Sequence, residues 1–192
     1  FDIVLGLTLY ITTKKYFNKQ IAFVSLFIYS VSITQFKAFT YMYYKNVLGL
    51  ILMLLALYFL KDKKYILMII SAAYLGGTHR PTYLVFAFIY IFYTLLNKRL
   101  IKTNLINGIL IVLLTIPFYI GRFNEAIFSN IEPIIEANIG AGTFISFIKY
   151  QFLSLTYLPF AILGFFYLLK KRDFNVIFLW ALITGVIVYF KI

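Results

Sequence analysis

Long uncharged apolar stretches, separated by short clusters of lysine and arginine, are the feature of this sequence that most restricts its fold. Only 12% of the residues are charged, about half of the quarter that is usual in soluble domains. In hydrocarbon only an α-helix or a closed β-barrel satisfies its own backbone hydrogen bonds, and these stretches lack the two-residue alternation of barrel strands. The sequence therefore predicts an all-α fold, a polytopic bundle of transmembrane helices.

The apolar stretches number about eight, and we expect them to form one transmembrane domain over residues 1–192. They cover residues 1–11, 21–33, 47–60, 65–75, 83–96, 105–120, 152–169 and 174–190. Because the chain begins at a phenylalanine inside one stretch and stops as another ends, we expect it to be a fragment of a longer protein.

The connections between the stretches alternate strictly in positive charge, which predicts the side of the membrane on which each one lies. Three Lys or Arg residues occur in each of the connections 12–20, 61–64, 97–104 and 170–173. These four are predicted to lie in the cytoplasm, beneath the plasma (inner) membrane, and the alternate connections to lie outside. Since this pattern accounts for most of the net charge of +12, the charge does not indicate a nucleic-acid partner.

The outer connection at 121–151 is the longest one and contains Glu125, Glu132 and Glu136. Apolar residues recur at helical spacing in its first half, which predicts an external loop with an interfacial helix. Glutamates in exposed loops are usually only solvated, so we assign no acid or base to them.

Three of the stretches are short compared with a membrane. At 1.5 Å per residue, stretches 47–60, 65–75 and 83–96 reach about 21, 16 and 21 Å, against about 30 Å of hydrocarbon. If their inner ends lie at the membrane surface, the polar turns 44–46 and 78–80 lie below the outer surface, in an outward-open recess. Alternatively, tyrosines next to these turns extend the helices to the outer surface as an ordinary aromatic belt.

The turn formed by Thr78, His79, Arg80 and Pro81 contains the single histidine of the chain. Pro81 fits the first turn of a helix and Thr78 is a suitable cap, so we expect a helix N-terminus that points into the recess. Together with Arg80, and with His79 when it is protonated, this N-terminus suits a phosphate or pyrophosphate. The alternative is a turn that is hydrogen-bonded to neighbouring carbonyls and has no ligand.

Lys45 lies at the same predicted depth as His79, among aromatic residues, and is the third residue expected to bind an anion. A lysine that extends its amine from a helix end to the membrane surface gives the same pattern. The predicted substrate- and phosphate-binding residues are therefore Lys45, His79 and Arg80, and no catalytic residue is predicted.

Several motifs that mark common kinds of catalytic or metal site are absent from the sequence. It contains no cysteine, no cluster of His, Asp or Glu at metal-ligand spacing, no phosphate-binding P-loop and no Gly-x-Ser-x-Gly. We predict no metal or cofactor bound by these residues. A divalent metal, if the protein uses one, is expected to bind in a part of the protein outside them. The small residues Ala72 and Gly76, and likewise Ala73 and Gly77, lie four apart, which predicts close helix packing.

The order of these elements resembles the middle of GT-C-type integral membrane glycosyltransferases, the group of protein mannosyltransferases and aminoarabinose transferases. In LYITTKKYFNKQIAFVSLFIYSVS a helix, a basic turn and a second helix precede an aromatic-basic segment. A helix that ends in KDKK and a helix that ends in Thr-His follow. Thr78 and His79 match the Thr-His turn of the family, and Lys45 falls in its Ser/Arg/Tyr-bearing segment.

This resemblance implies an enzyme that takes a sugar from a polyprenyl-phosphate donor. It passes the sugar to a lipid, glycan or protein acceptor on the outer face, among the membrane lipids. The resemblance also implies that the catalytic carboxylate lies in an external loop upstream of Phe1, and that Lys45, His79 and Arg80 hold the donor phosphate. The chain departs from the family at Ile33, where a proline is common.

Other classes of membrane protein fit parts of the pattern. Polysaccharide polymerases or ligases of the O-antigen kind also have a basic residue before one helix and a histidine after the next. A transporter or flippase for a lipid-linked substrate predicts two related halves with broken helices, and no convincing repeat is present. A purely structural subunit needs no cations at depth.

Overall fold

The computed structural model describes residues 2–32, 44–122, 158–171, 175–180 and 182–183. Over these residues the chain is helical and contains no β-strand, which confirms the all-α prediction. The helices are α1 (Asp2–Tyr16), α2 (Lys19–Ser30), α3 (Tyr44–Lys61), α4 (Tyr65–Thr78), α5 (Arg80–Leu96), α6 (Ile101–Thr115) and α7 (Leu158–Lys171). Two 3-10 helices, Lys98–Leu100 and Ile116–Arg122, precede and follow α6.

Two helical stretches of the described residues are long and apolar enough to cross a membrane. They are α3 and the continuous stretch Lys98–Ile120, which contains α6. Helices α4 and α5 are apolar but shorter, with 14 and 17 residues. The predicted count of eight spans is therefore not confirmed, because hydropathy located apolar stretches without requiring that each has the length of a span. The predicted external loop at 121–151 lies outside the described residues, apart from residues 121–122.

The three helices that were predicted to be short each extend three residues beyond their apolar stretches at the predicted outer end. Helix α3 begins three residues earlier, at Tyr44, α4 ends three residues later, at Thr78, and α5 begins three residues earlier, at Arg80. At 1.5 Å per residue they are about 27, 21 and 26 Å long, and of the three only α3 is long and apolar enough to cross a membrane. The predicted shortness is therefore wrong for α3, because polar residues continue the backbone hydrogen bonds of a helix as well as apolar ones do, whereas α4 and α5 remain shorter helices.

Helix α3 lies at the centre of the packing, in contact with α1, α4 and α5. Side chains of α3 and α4 together form half of the main hydrophobic core. Fully buried members of this core are Met53, Ala56, Leu57, Leu60, Met68, Ala72 and Leu75. In contrast, large apolar side chains on α5 and α6, among them Leu95 and Ile109, are exposed. A surface on which many large apolar side chains are exposed is typical of a protein that contacts lipid or a partner.

The basic turns that follow α1 and α3 lie side by side, because α1 packs along α3. Asp62, in the turn after α3, pairs with Lys15 near the end of α1 and, at 3.8 Å, with Lys64. The hydrogen bond from the Lys15 ammonium lowers the pKa of the Asp62 carboxyl. The structure therefore brings two of the lysine-rich connections together at one end of the bundle.

Gly76 and Gly77 permit close contacts near the end of α4, as the spacing of small residues predicts. A Cβ atom on Gly76 would lie 2.6 Å from Cγ2 of Thr115, the last residue of α6. A Cβ atom on Gly77 would lie 2.6 Å from the ring of Phe118. Both distances are shorter than van der Waals contact, so the close approach at these two glycines is confirmed.

Replacing Gly76 by alanine is expected to destabilise the protein. The added Cβ meets a stiff β-branched side chain that is itself buried, so the free energy of unfolding falls by about 1–3 kcal/mol. Thermal unfolding of the full chain in detergent measures this change. Gly164→Ala is the matched control, because no atom lies within 4 Å of a Cβ at that position. An equal Tm for the two variants would contradict the packing described at Gly76.

Candidate functional site

His79 is the one residue between α4 and α5, and its extended backbone, with φ of −146° and ψ of 96°, turns the chain from one helix into the other. Its backbone N–H donates a hydrogen bond to the Leu75 carbonyl at 2.9 Å, and its carbonyl accepts one from the Tyr83 N–H at 3.0 Å. The residue therefore ends α4 and begins α5.

The side chain of His79 caps α5. The Nδ1 atom accepts a hydrogen bond from the Thr82 N–H at 3.4 Å and lies 2.6 Å from the Thr82 hydroxyl oxygen. Pro81 lies in the first turn of α5, as predicted. The predicted cap, Thr78, is wrong: it is the last residue of α4, and its hydroxyl donates to the Tyr74 carbonyl at 2.7 Å. An imidazole nitrogen two bonds beyond Cβ reaches the first-turn N–H groups much as an asparagine oxygen does.

The imidazole of His79 packs against α3 at Gly49. A Cβ atom on Gly49 would lie 2.7 Å from the Cβ atom of His79 and 3.2 Å from its Cγ atom. A larger residue at position 49 would therefore displace either the imidazole or the start of α5. Gly49 was not among the predicted site residues, although a glycine inside an apolar helix, one turn after Lys45, is a signal of close approach.

Lys45 and His79 lie at the same end of the bundle. Lys45 is in the first turn of α3, four residues before Gly49, and residues four apart share one face of a helix. Its side chain is exposed. Within the part of the chain that the structure describes, no hydrogen bond joins Lys45 to His79 or Arg80. The structure thus places the three predicted residues at the same end of the bundle without bonding Lys45 to the turn.

Arg80 faces a different neighbour. Its guanidinium carbon lies 5.1 Å from the centre of the Tyr119 ring, and the Tyr119 hydroxyl donates a hydrogen bond to the Gly76 carbonyl at 2.5 Å. The ring stabilises the cation through its π-electrons and takes up none of its N–H donors. The described residues contain no carboxylate paired with Arg80. Tyr119 was not among the predicted site residues, because it is 39 positions from Arg80.

The protonation state of His79 follows from its position in the turn, outside both helices. Burial lowers the pKa of the imidazole below its ordinary value of 6.5. Because Nδ1 accepts a hydrogen bond, the neutral ring has its proton on Nε2. Near pH 7, therefore, Lys45 and Arg80 provide the positive charge of the site, and His79 contributes an N–H donor.

Among the described residues, neither a metal-binding cluster nor the predicted loop glutamates add to the site. They include no group of three His, Cys, Asp or Glu side chains arranged to bind a metal ion. The loop residues Glu125, Glu132 and Glu136 lie outside the described residues. What the described arrangement does provide is two cations and a hydrogen-bond donor at one end of the bundle, a combination that suits a phosphate group.

Comparison with known proteins adds one match. Residues 1–128 of the 192 match the sequence model of the Alg9-like mannosyltransferase family. No curated protein and no solved structure matches the chain significantly. The matched residues include Lys45, Gly49, the turn at His79 and Arg80, and Tyr119.

The titration of His79 tests the geometry of the turn directly. We expect its pKa to lie below 6.5, because burial disfavours the charged form. Since the folded pKa is the lower one, the stability that the neutral ring contributes is present above pH 6.5 and is lost as the pH falls through the folded pKa. Histidine-selective NMR of the full chain gives this value from a single imidazole signal, and the unfolded chain is the control. A folded pKa at or above 6.5 would contradict the burial of the ring.

Proposed function

Because the chain belongs to the Alg9-like mannosyltransferase family, a GT-C-type family of membrane glycosyltransferases, we propose that it transfers a mannosyl residue from a polyprenyl-phosphate-linked donor to an acceptor at the outer face of the membrane. Members of the family use lipid-linked sugar donors and glycan acceptors, which supports the lipid-linked donor and favours a glycan acceptor. The family match also favours a transferase over a polysaccharide polymerase or a flippase.

The observation that carries this proposal is the position of the turn at His79. Because Gly49 has no side chain, His79 packs against α3 one helical turn from Lys45. Arg80 follows His79 directly in the sequence. Two cations and the Nε2–H group therefore lie at one end of α3 and α5. We propose that this end of the bundle holds the phosphate of the donor.

The chemistry of glycosyl transfer explains why such residues are needed. The acceptor hydroxyl oxygen attacks the anomeric carbon of the sugar, and the bond from that carbon to the phosphate oxygen breaks. The electron pair of this bond moves to the phosphate, so negative charge develops there in the transition state. Lys45 and Arg80 stabilise that charge, and His79 donates a hydrogen bond to it. The proton of the acceptor goes to a carboxylate that we expect outside the described residues.

The placement in the membrane is part of the proposal. Exposed apolar side chains cover α5 and α6, and the lysine-rich turns after α1 and α3 lie together, near the opposite end of α3 from Lys45. An excess of lysine and arginine marks the cytoplasmic side of membrane proteins. We therefore propose a multi-pass protein of the inner membrane with the His79 turn toward its outer face.

Arg80→Ala is expected to reduce the turnover number of mannosyl transfer on the order of 10²-fold, because one group that stabilises the developing phosphate charge is lost. Arg80→Lys retains the charge but loses the planar arrangement of donors, so it restores only part of the rate. Lys45→Ala is expected to act in the same direction with a smaller effect, since Lys45 is exposed.

The assay measures transfer of labelled mannose from polyprenyl-phosphate mannose in membranes that contain the full chain. Lys14→Ala is the matched control, because Lys14 is an exposed lysine near the end of α1 with no site role. If Arg80→Ala and Lys14→Ala gave the same turnover number at equal protein levels, Arg80 would not act on the donor phosphate.

A further inference from the structure

A groove of about 470 Å³ runs along α5 and α6, and no role in the proposed transfer requires it. Its volume lies in the range of cavities that bind small molecules, about 300–1,000 Å³. The walls are almost entirely apolar and include Phe86, Ile91, Ile109 and Val112. Ile91, Ile109 and Val112 are each more than half exposed, so the groove opens sideways, toward the surface that we propose faces lipid.

Asn104, in the first turn of α6, is one of the few polar residues that line this groove. Its side chain is 1% exposed, and neither its amide nitrogen nor its amide oxygen has a hydrogen-bond partner. Its backbone carbonyl accepts a hydrogen bond from the Tyr90 hydroxyl at 2.9 Å, which fixes the residue against α5. Buried polar side chains are nearly always hydrogen-bonded, so an unpartnered amide in the wall of a groove indicates a ligand with a polar group.

Positive charge lies at the same end of the groove. Lys98, Arg99 and Lys102 are exposed, and they lie within six residues before Asn104. No carboxylate among the described residues forms an ion pair with them. A molecule that follows the groove therefore meets an apolar wall first, an amide next and a cluster of cations at its end.

The length of the groove decides which lipid fits. On α5 it extends from Tyr83 to Leu95, which is about 18 Å at 1.5 Å per residue. Half of a hydrocarbon core of about 30 Å is about 15 Å, so the groove has the length of one leaflet. That length fits one acyl chain of a membrane lipid, and it does not enclose a polyprenyl chain long enough to extend through both leaflets.

We propose that this groove binds an anionic glycerophospholipid. One acyl chain lies between α5 and α6, an ester carbonyl accepts a hydrogen bond from the Asn104 amide, and the phosphate lies near Lys98, Arg99 and Lys102. The bound lipid fills the space between the two helices and thereby stabilises the bundle. This role does not depend on the proposed transferase activity.

Gly108→Leu tests the proposal by filling the groove. Gly108 lines it, and a Cβ atom there would lie at an ordinary contact distance of 3.5 Å from the Tyr90 ring, so the leucine side chain extends into the groove without a backbone clash. Gly164→Leu is the matched control, since a Cβ there has no atom within 4 Å. The full chain is purified, delipidated and titrated with phosphatidylglycerol, and native mass spectrometry measures the bound lipid.

We expect Gly108→Leu to raise the Kd for phosphatidylglycerol on the order of tenfold or more, since lost contact with two methylenes suffices for that change. Gly164→Leu is expected to leave the Kd unchanged. Equal Kd values for the two variants would overturn the proposal. Displacement of phosphatidylglycerol by polyprenyl phosphate at lower concentration would also overturn it, because the groove would then be a site for the donor lipid.

Asn104→Leu provides a second measurement that does not depend on Gly108. The variant keeps the volume of the side chain but removes the amide, so the rise in Tm on addition of phosphatidylglycerol is expected to be smaller than in the wild type. In the lipid-free state its Tm is expected to equal or exceed that of the wild type, since the unpartnered amide is gone. A rise in Tm equal to that of the wild type would show that the amide does not contact lipid.

Discussion

The close approach of His79 to Gly49 is the contact on which the arrangement of the proposed site depends. Only one residue separates α4 from α5, so the direction of both helices follows from the position of that residue. Gly49 has no side chain, and the imidazole occupies the space against α3. As a result, the N-terminus of α5 and Arg80 lie beside the first turn of α3, where Lys45 is exposed.

The two ends of α3 have different chemistry, and this division organises the rest of the described structure. At the C-terminal end, Asp62 forms ion pairs with Lys15 and Lys64, and these two ammonium groups compensate its negative charge. At the N-terminal end the cations have no described carboxylate partner, and the aromatic ring of Tyr119 supports Arg80 instead. The donor phosphate that we propose at the N-terminal end would therefore meet cations that have no described carboxylate partner.

The sequence predicted the helical class and a helix with Pro81 in its first turn, because apolar stretches and proline positions act locally. The family resemblance is confirmed for the membrane glycosyltransferases as a group, by the match over residues 1–128. The ends of the helices were less predictable. Hydropathy placed Tyr44 to Asn46, Thr78 and Arg80 outside the apolar stretches, although all of these residues lie within helices. Gly49 indicated only that some group approaches α3 closely, and Tyr119 gave no signal, because their partners His79 and Arg80 are distant in the chain.

The measurement that tests the account most directly is the rate of mannosyl transfer by Gly49→Ala, compared with Gly164→Ala. A methyl group at position 49 would lie 2.7 Å from the His79 Cβ atom, so the turn must move away from α3. We expect Gly49→Ala to lower the turnover number on the order of tenfold or more, as small misplacements of binding groups do, and Gly164→Ala to retain the wild-type rate. Equal rates for the two variants, at equal thermal stability, would show that the contact between His79 and α3 does not position the site.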